Sequence, residues 1–469
     1  MKISASKKLT GILIGIFLQF TITAPVYPFS IGDEREVGEK LLYSVRSAFE
    51  LKDDPDITQY ITKLGQSVLE VAGIQYFDYH FFVIDNKEFN AFAAPSGLIF
   101  FHSGLIGVMN SEDELVSVMA HEIGHIYKRH LASRVEKGTY SGIASLGLAL
   151  AAIAFGGTTA PVLLTGALAA GQSFNLHFSR QDEEEADLLA YGWLKKLGRN
   201  PHGQVKMLES MRRISRYRSE KLPQYLLTHP DPEARLNYIQ SLMEIDHEDI
   251  AEEQKNSQDF DFFRIKYRIL ADVKDIEIFK NYLATVLADD KAAPFFKNMA
   301  RYGLAQIAKN ENDYNKSLEL LNNVISTFPD KNSLKVDKGV IEFASGKLME
   351  AEMTLREALR LDGSDLYAAF TLGKLLSRTG KLAEAEQYFQ RVSYHIPEYS
   401  QVYFELGQIA ARNKQSGLAA FYLGKFNLFS GKLKLAEESL RNALRDKSLS
   451  EQNTNEAKML TKKIALLRK

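Results

Sequence analysis

The sequence predicts an α+β unit, mostly helical with a small sheet, followed by an all-α solenoid of helical repeats. Three observations predict it. From Ser30 to about Ile250 helix-period and strand-period patterns alternate, whereas from about Phe260 to Lys469 one helical pattern follows another. In that second half small residues recur at Ala305, Gly339, Gly373 and Gly407, each 34 positions after the last, and again at Ser317, Ala351, Ala385 and Ala419. Between the halves, Asp246 to Asp259 is charged and poor in apolar residues, which marks a linker. The chain has 469 residues, about three times an ordinary ~150-residue domain, so two or three units fit. Residues 30–250 and 258–469 are the expected folded units.

Composition removes several functions before any motif is read. With 58 Lys+Arg against 59 Asp+Glu, the chain lacks the basic excess that phosphate binding leaves, so nucleic acid is not an expected partner. It contains no cysteine. Disulfide scaffolds, thiol nucleophiles, iron–sulfur clusters, Cys-ligated zinc and a lipid anchor on an N-terminal cysteine are thereby excluded. Any metal must be held by His and carboxylate.

Each element follows in order. Lys2, Lys7 and Lys8 precede an apolar run from Leu9 to Ala24, with Pro25 and Pro28 after it. The run is short of the roughly 20 residues a span needs, so residues 1–24 read as a signal peptide, with an uncleaved anchor as the competing reading. Export is expected. Phe77 to Asp85 alternates and branches like a strand, and Leu98 to Phe101, after Pro95-Ser96-Gly97, reads as a second. Ser111 opens a helix with Glu114 three residues on, a capping box, and Leu115, Val118, Met119 and Ile123 continue it at helical spacing. Ser141 to Gly171 is apolar, rich in Gly and Ala, and broken at Gly156 to Pro161. Each arm is too short to span, so a helical hairpin beside the active site is expected, with peripheral membrane contact as the alternative. Ser179 opens another helix that runs through Leu188, Leu189 and Trp193, and Thr228 to Arg235 is a loop leading into a helix.

The 34-residue step is the tetratricopeptide length. Two antiparallel helices approach at the small positions, and Leu355, Phe389 and Leu440 fill the gap. After Ala419 the step halves to reach Gly424 and Ala436, so one helix serves two successive repeats. With a degenerate start at Tyr267, Leu270 and Ala271, about four to six units are expected. Such an array offers a curved surface for protein partners and implies no reactive group.

The chemistry gathers in the first half, since of ten His residues only His395 lies beyond the linker. The helix from Ser111 carries His121-Glu122-Ile123-Gly124-His125. Residues four apart share a helix face, so His121 and His125 can reach one ion, with Glu122 beside it towards the attacking water. A surface helix with paired His is the bland alternative. Catalytic zinc usually takes three protein ligands, and the helix from Ser179 supplies a candidate. Glu183 and Asp187 are four apart on the side that carries Ala186 and Ala190, whereas acids in a first turn otherwise only offset the helix dipole. Glu183 reads as the third ligand. Asp187 then accepts the other ring N–H of a ligating His or serves as a proton donor. Glu184 and Glu185 are expected to face solvent, as are Arg129 and His130.

The HExxH helix, the downstream Arg180, Glu183 and Asp187, and the later His229-Pro230 resemble the gluzincin-type zinc peptidases that include the CAAX prenyl proteases and bacterial heat-shock membrane proteases. With a signal peptide in front and tetratricopeptide repeats behind, the likeness is closest to their periplasmic, repeat-bearing members. The resemblance implies a minigluzincin-like, mostly helical metalloprotease domain with a small sheet, and one zinc ion per chain held by His121, His125 and Glu183. It also implies Glu122 as general base, Asp187 as proton donor or orienting residue, and His229 as a candidate latent-state zinc ligand. The family's edge strand would fall within Asn90 to Ser103, where a substrate strand could add by backbone hydrogen bonds; a buried core strand is the alternative for its apolar run. The function so implied is a periplasmic endopeptidase that degrades misassembled outer-membrane proteins and aids their assembly. Its partners would be stalled or unfolded outer-membrane proteins and the barrel assembly machinery. The rival is a non-proteolytic repeat scaffold with a latent or structural metal. An intact Glu122 disfavours that rival, since a structural site has no use for the base.

Overall fold

A computed structural model describes residues 29–136, 177–217, 223–246, 259–273 and 276–468. The expected signal peptide, the apolar stretch 141–171 and most of the linker lie outside the described residues.

Three strands form the sheet: β1 (His80–Ile84), β2 (Ala91–Ala94) and β3 (Leu98–His102), in the order β1-β3-β2. β1 runs parallel to β3 and β2 antiparallel to it. The expected second strand is therefore the centre of the sheet, and the edge within Asn90 to Ser103 is β2. The apolar run of β3 has a physical reason, because both of its faces are covered. Ile99 and Phe101 point to helices Pro55–Ala72 and Glu112–Tyr127, while Leu98 and Phe100 meet helix Ile31–Ala48. The β2–β3 turn places Ser96 at φ 71 and Gly97 at φ 81, and a Cβ on Gly97 would lie 2.6 Å from the Asp78 carbonyl oxygen. Only glycine suits that position.

Helix Glu112–Tyr127 runs through the middle of this unit, buried on every side from Glu114 to Ile126. Its cap is half of the expected box. Ser111 accepts from the Glu114 N–H at 3.2 Å, but the Glu114 carboxylate accepts from the Asn110 N–H at 3.1 Å, one residue earlier than a capping box requires. Helix Arg180–Lys196 does close the full box, between Ser179 and Asp182.

From Phe260 onwards helices pair in succession, with Asn332–Ala344 against Leu348–Leu361, Leu366–Arg378 against Leu382–His395, and Ser400–Arg412 against Ser416–Phe429. Helix Ser416–Phe429 also packs on Leu433–Arg445, so it serves two neighbours, as the halved step predicts. The periodic glycines touch the periodic large residues. A Cβ on Gly339, Gly373 or Gly424 would come within 2.7 Å of Leu355, Phe389 or Leu440. Gly373→Ala is therefore expected to cost about 1–3 kcal/mol, read by calorimetry as a lower unfolding temperature, because the Phe389 ring must move.

The two halves of the sequence share one core. The hydrophobic cluster that begins at Ile57 continues without a break through Phe262, Ile265 and Ile269 to Ile341. Helix Phe260–Ala271 is buried on nearly all sides, and its two arginines reach acids far away in sequence. Arg264 pairs with Asp337 at 2.8 Å and with Asp56 at 2.9 Å, and Arg268 pairs with Asp54 at 2.7 Å and also with Asp56. Further along, Arg46 binds Glu398 at 3.1 Å and donates to the Phe429 carbonyl at 2.6 Å. The repeats thus fold back along the N-terminal helices. Among the described residues no helix is long and apolar enough to cross a membrane.

Candidate metal centre

His121 and His125 project from one face of the central helix, with their Nε2 atoms 3.0 Å apart. Helix Arg180–Lys196 lies against that face. Gly124 permits the approach, since a Cβ there would be 3.2 Å from Ala186 Cα. Glu183 consequently reaches both imidazoles, with Oε1 3.5 Å from His125 Nε2 and Oε2 3.6 Å from His121 Nε2. His229 enters from the loop after helix Gln224–Thr228, its Nδ1 2.9 Å from Glu183 Oε1 and 3.3 Å from His121 Nε2. One donor atom from each of the four lies within 4.8 Å of the others, and all four residues are buried. The expected ligands thus come together, and His229 with them.

Glu122 stands beside this group. Neither carboxylate oxygen has a hydrogen-bond partner, and the nearest ionic group is the His229 ring, with Nε2 3.5 Å from Oε1. A buried carboxylate left without a hydrogen bond is costly unless a cation or a proton in transit answers it. Converging imidazole and carboxylate donors with such a base alongside fit a zinc ion. His121, His125 and Glu183 would hold it, with His229 at the remaining position.

A surrounding set of residues holds the donors in place. Asp187 Oδ1 lies 2.9 Å from His121 Nδ1, so that ring nitrogen donates to it and Nε2 keeps its lone pair towards the metal position. Of the two roles expected for Asp187, the geometry favours this accepting one. Burial pushes its carboxyl up, but Arg235 and His121 outweigh burial and hold it far below the usual carboxylate range. Arg235 grips Asp187 with two hydrogen bonds, Nε to Oδ2 at 2.7 Å and Nη2 to Oδ1 at 2.8 Å. Its Nη1 also lies 2.6 Å from Glu183 Oε2, an ionic contact at an angle unsuited to a hydrogen bond. Glu183 behaves likewise, with burial opposed and overcome by the charges of His229 and Arg235. For His229 the balance runs the other way: burial draws the imidazole down, and Glu183 and Glu122 raise it above its ordinary value.

His130, expected at the surface, is buried at 4% exposure, with Nδ1 2.8 Å from His125 Nδ1. The chain reverses at Arg129, whose φ is 53, and this folds His130 back onto the central helix. Arg129 itself is only half-buried, its Nε donating to Glu34 at 2.8 Å. Glu184 is exposed, as expected, and Glu185 is half-buried and pairs with Lys128 at 3.2 Å. Phe178 stacks on His125 with centroids 4.0 Å apart, and Tyr225 lies 4.4 Å from His229. Arg235, Phe178 and Tyr225 carry no expectation from sequence, and His130 carries the wrong one. Arg235 had a signal, since two buried carboxylates need a cation and the helix entered from His229 offers one six residues later.

Comparison with known proteins agrees with this geometry. The profile of peptidase family M48 matches residues 55–243, and a tetratricopeptide-repeat profile matches residues 336–394 and 370–425. The beta-barrel assembly-enhancing protease of Escherichia coli (strain K12) is 30% identical over 400 residues, covering 83% of this chain and 80% of that protein. A protein of Vibrio cholerae described as a putative beta-barrel assembly-enhancing protease is 29% identical over 64% of this chain and 62% of its own length. The mitochondrial metalloendopeptidase OMA1 of Schizosaccharomyces pombe is 27% identical over 39% of this chain and 52% of that protein. On this shared sequence, and on four donors converging beside a buried base, the chain belongs to peptidase family M48 as a zinc metallopeptidase that carries tetratricopeptide repeats.

Proposed function

We propose that the chain is a periplasmic endopeptidase that clears misassembled outer-membrane proteins and assists their assembly, with the repeats recruiting protein partners. The observation that carries the peptidase reading is the buried, hydrogen-bond-free Glu122 beside His121, His125 and Glu183. Kinship to the beta-barrel assembly-enhancing proteases supports the compartment and the substrate class. When bound, zinc supplies Lewis acidity that polarises the scissile carbonyl and acidifies water at the site. Glu122 takes the proton of the attacking water and delivers it to the leaving amine. Asp187 fixes the His121 ring, His130 sits against the far nitrogen of His125, and Arg235 keeps Asp187 and Glu183 ionised and aligned.

His229 has a regulatory part in this reading. Its ring contacts Glu122 at 3.5 Å and Glu183 at 2.9 Å, which supports reading this arrangement as the latent one. If the imidazole is withdrawn about one-tenth of the time, His229→Ala is expected to raise cleavage of an unfolded protein by about tenfold. Unchanged cleavage together with an unchanged metal environment would show that His229 does not gate the site. The reading as a whole is tested in cells, by following a stalled barrel protein in wild type and in Glu122→Gln. Full clearance by Glu122→Gln would leave a scaffold and sink the peptidase reading.

A further inference from the structure

A cavity of about 750 Å³, lined by none of the donors described above, lies where the end of β1 and helix Ser103–Val108 meet the first helices of the repeat half. Its walls include Val108, Ile278 and Tyr282, which are 39%, 77% and 48% exposed. Lys266 also lines it and is only 5% exposed. The ammonium donates to the Met109 carbonyl at 2.5 Å and lies 5.8 Å from the centre of the Phe263 ring. Among the described residues no carboxylate comes within ion-pair distance of it; the acid that acts on it, Glu114, does so from farther away. Lys52 is the contrast, also buried but held between Asp85 at 3.3 Å and Asp272 at 2.8 Å. An ammonium has three donors, so one carbonyl leaves Lys266 with capacity to spare. Burial without a counter-ion draws it down to about 8.

Asp85 lines the same cavity but is paired with Lys52 at 3.3 Å, so the apolar side chains beside a buried ammonium without an ion-pair partner are complementary to an apolar chain that ends in an anion. We propose that this groove binds the carboxyl end of a polypeptide, its last apolar side chains against Val108, Ile278 and Tyr282 and its terminal carboxylate on Lys266. Asn86 and Asn110 line the same groove and suit backbone amides, which a fatty acid lacks. The assignment does not depend on proteolysis or on the metal. It would give the chain a way to select clients by a free end.

The test uses the full chain and a fluorescent peptide ending in three apolar residues, prepared as the free acid and as the C-terminal amide. Binding is read by anisotropy, and mass spectrometry confirms that the peptide stays intact. The acid is expected to bind at least about tenfold more tightly than the amide, as a charge-assisted contact implies. Lys266→Met should abolish that difference, while Ile278→Ser, at an exposed position, should weaken both forms alike. Equal affinity of acid and amide overturns the proposal, as does a difference that survives in Lys266→Met, or no measurable binding of either form. Stronger competition by a long-chain fatty acid than by the acid peptide overturns the polypeptide assignment. If Lys266→Met does not fold, as judged by circular dichroism, the acid–amide comparison on the unaltered chain decides alone.

Discussion

Replacing Glu122 by Gln is expected to lower kcat/KM for an unfolded substrate by about 10²–10⁴-fold, the usual contribution of a general base. The same change should raise the unfolding temperature of the metal-free chain. Both effects have one cause. The Glu122 carboxyl group is fully buried, neither oxygen has a hydrogen bond, and the His229 ring 3.5 Å away is its one ionic contact among the described residues, so its burial is poorly repaid by the fold. Gln keeps the shape and cannot ionise. A basic oxygen without a hydrogen bond is what proton transfer requires, and it is also what a stability-driven choice of residue would avoid. Cleavage assays with the zinc-loaded protein and calorimetry with the chelated protein test the two halves separately. Retained activity would remove Glu122 from the reaction; a lower unfolding temperature would mean that the carboxylate has a structural partner after all.

The sequence was most informative where local geometry alone sets the contact. His121 with His125 and Glu183 with Asp187 are pairs four apart on helices, so their convergence on one side follows from helical pitch. The repeats were legible because two helices can approach closely only at small residues, and these recur at Gly339, Gly373 and Gly424 opposite large ones. Arg235, His130 and Phe178 were not legible in this way. Their places depend on the reversal at Arg129 and on the docking of the His229 loop, which no local pattern encodes. No residue pattern marked β2, since Ala91, Phe92, Ala93 and Ala94 do not alternate in polarity, and only the family resemblance placed an edge strand within Asn90 to Ser103. The shared core was hidden for a related reason. Helix Phe260–Ala271 mixes apolar and basic residues as a surface helix does, and only the distant Asp54, Asp56 and Asp337 make its burial tolerable. A chain stopped near Glu252 would lose that helix and bare its docking surface, so truncation there tests folding more than recruitment.

Arg235→Ala is expected to destabilise the metal-free chain by about 3–5 kcal/mol, the cost of removing one member of a buried ionic group. Its guanidinium is 8% exposed and answers two carboxylates, Asp187 and Glu183, that are each 1% exposed. Without it Asp187 keeps only His121 and Glu183 only the neighbouring imidazoles, so both must be protonated or remain as poorly compensated buried charges. Arg235→Lys should recover only part of the loss, because one ammonium cannot form the two parallel bonds to Asp187 and also touch Glu183. Zinc separates the two carboxylates. Bound metal would meet the charge of Glu183 directly but leave Asp187 to His121 alone, so zinc should raise the unfolding temperature more in Arg235→Ala than in the wild-type chain. Calorimetry with and without zinc measures that difference for each protein. A smaller zinc effect in the variant would mean that Arg235 acts chiefly by aiming Glu183 and His121 at the ion, and that charge compensation is secondary.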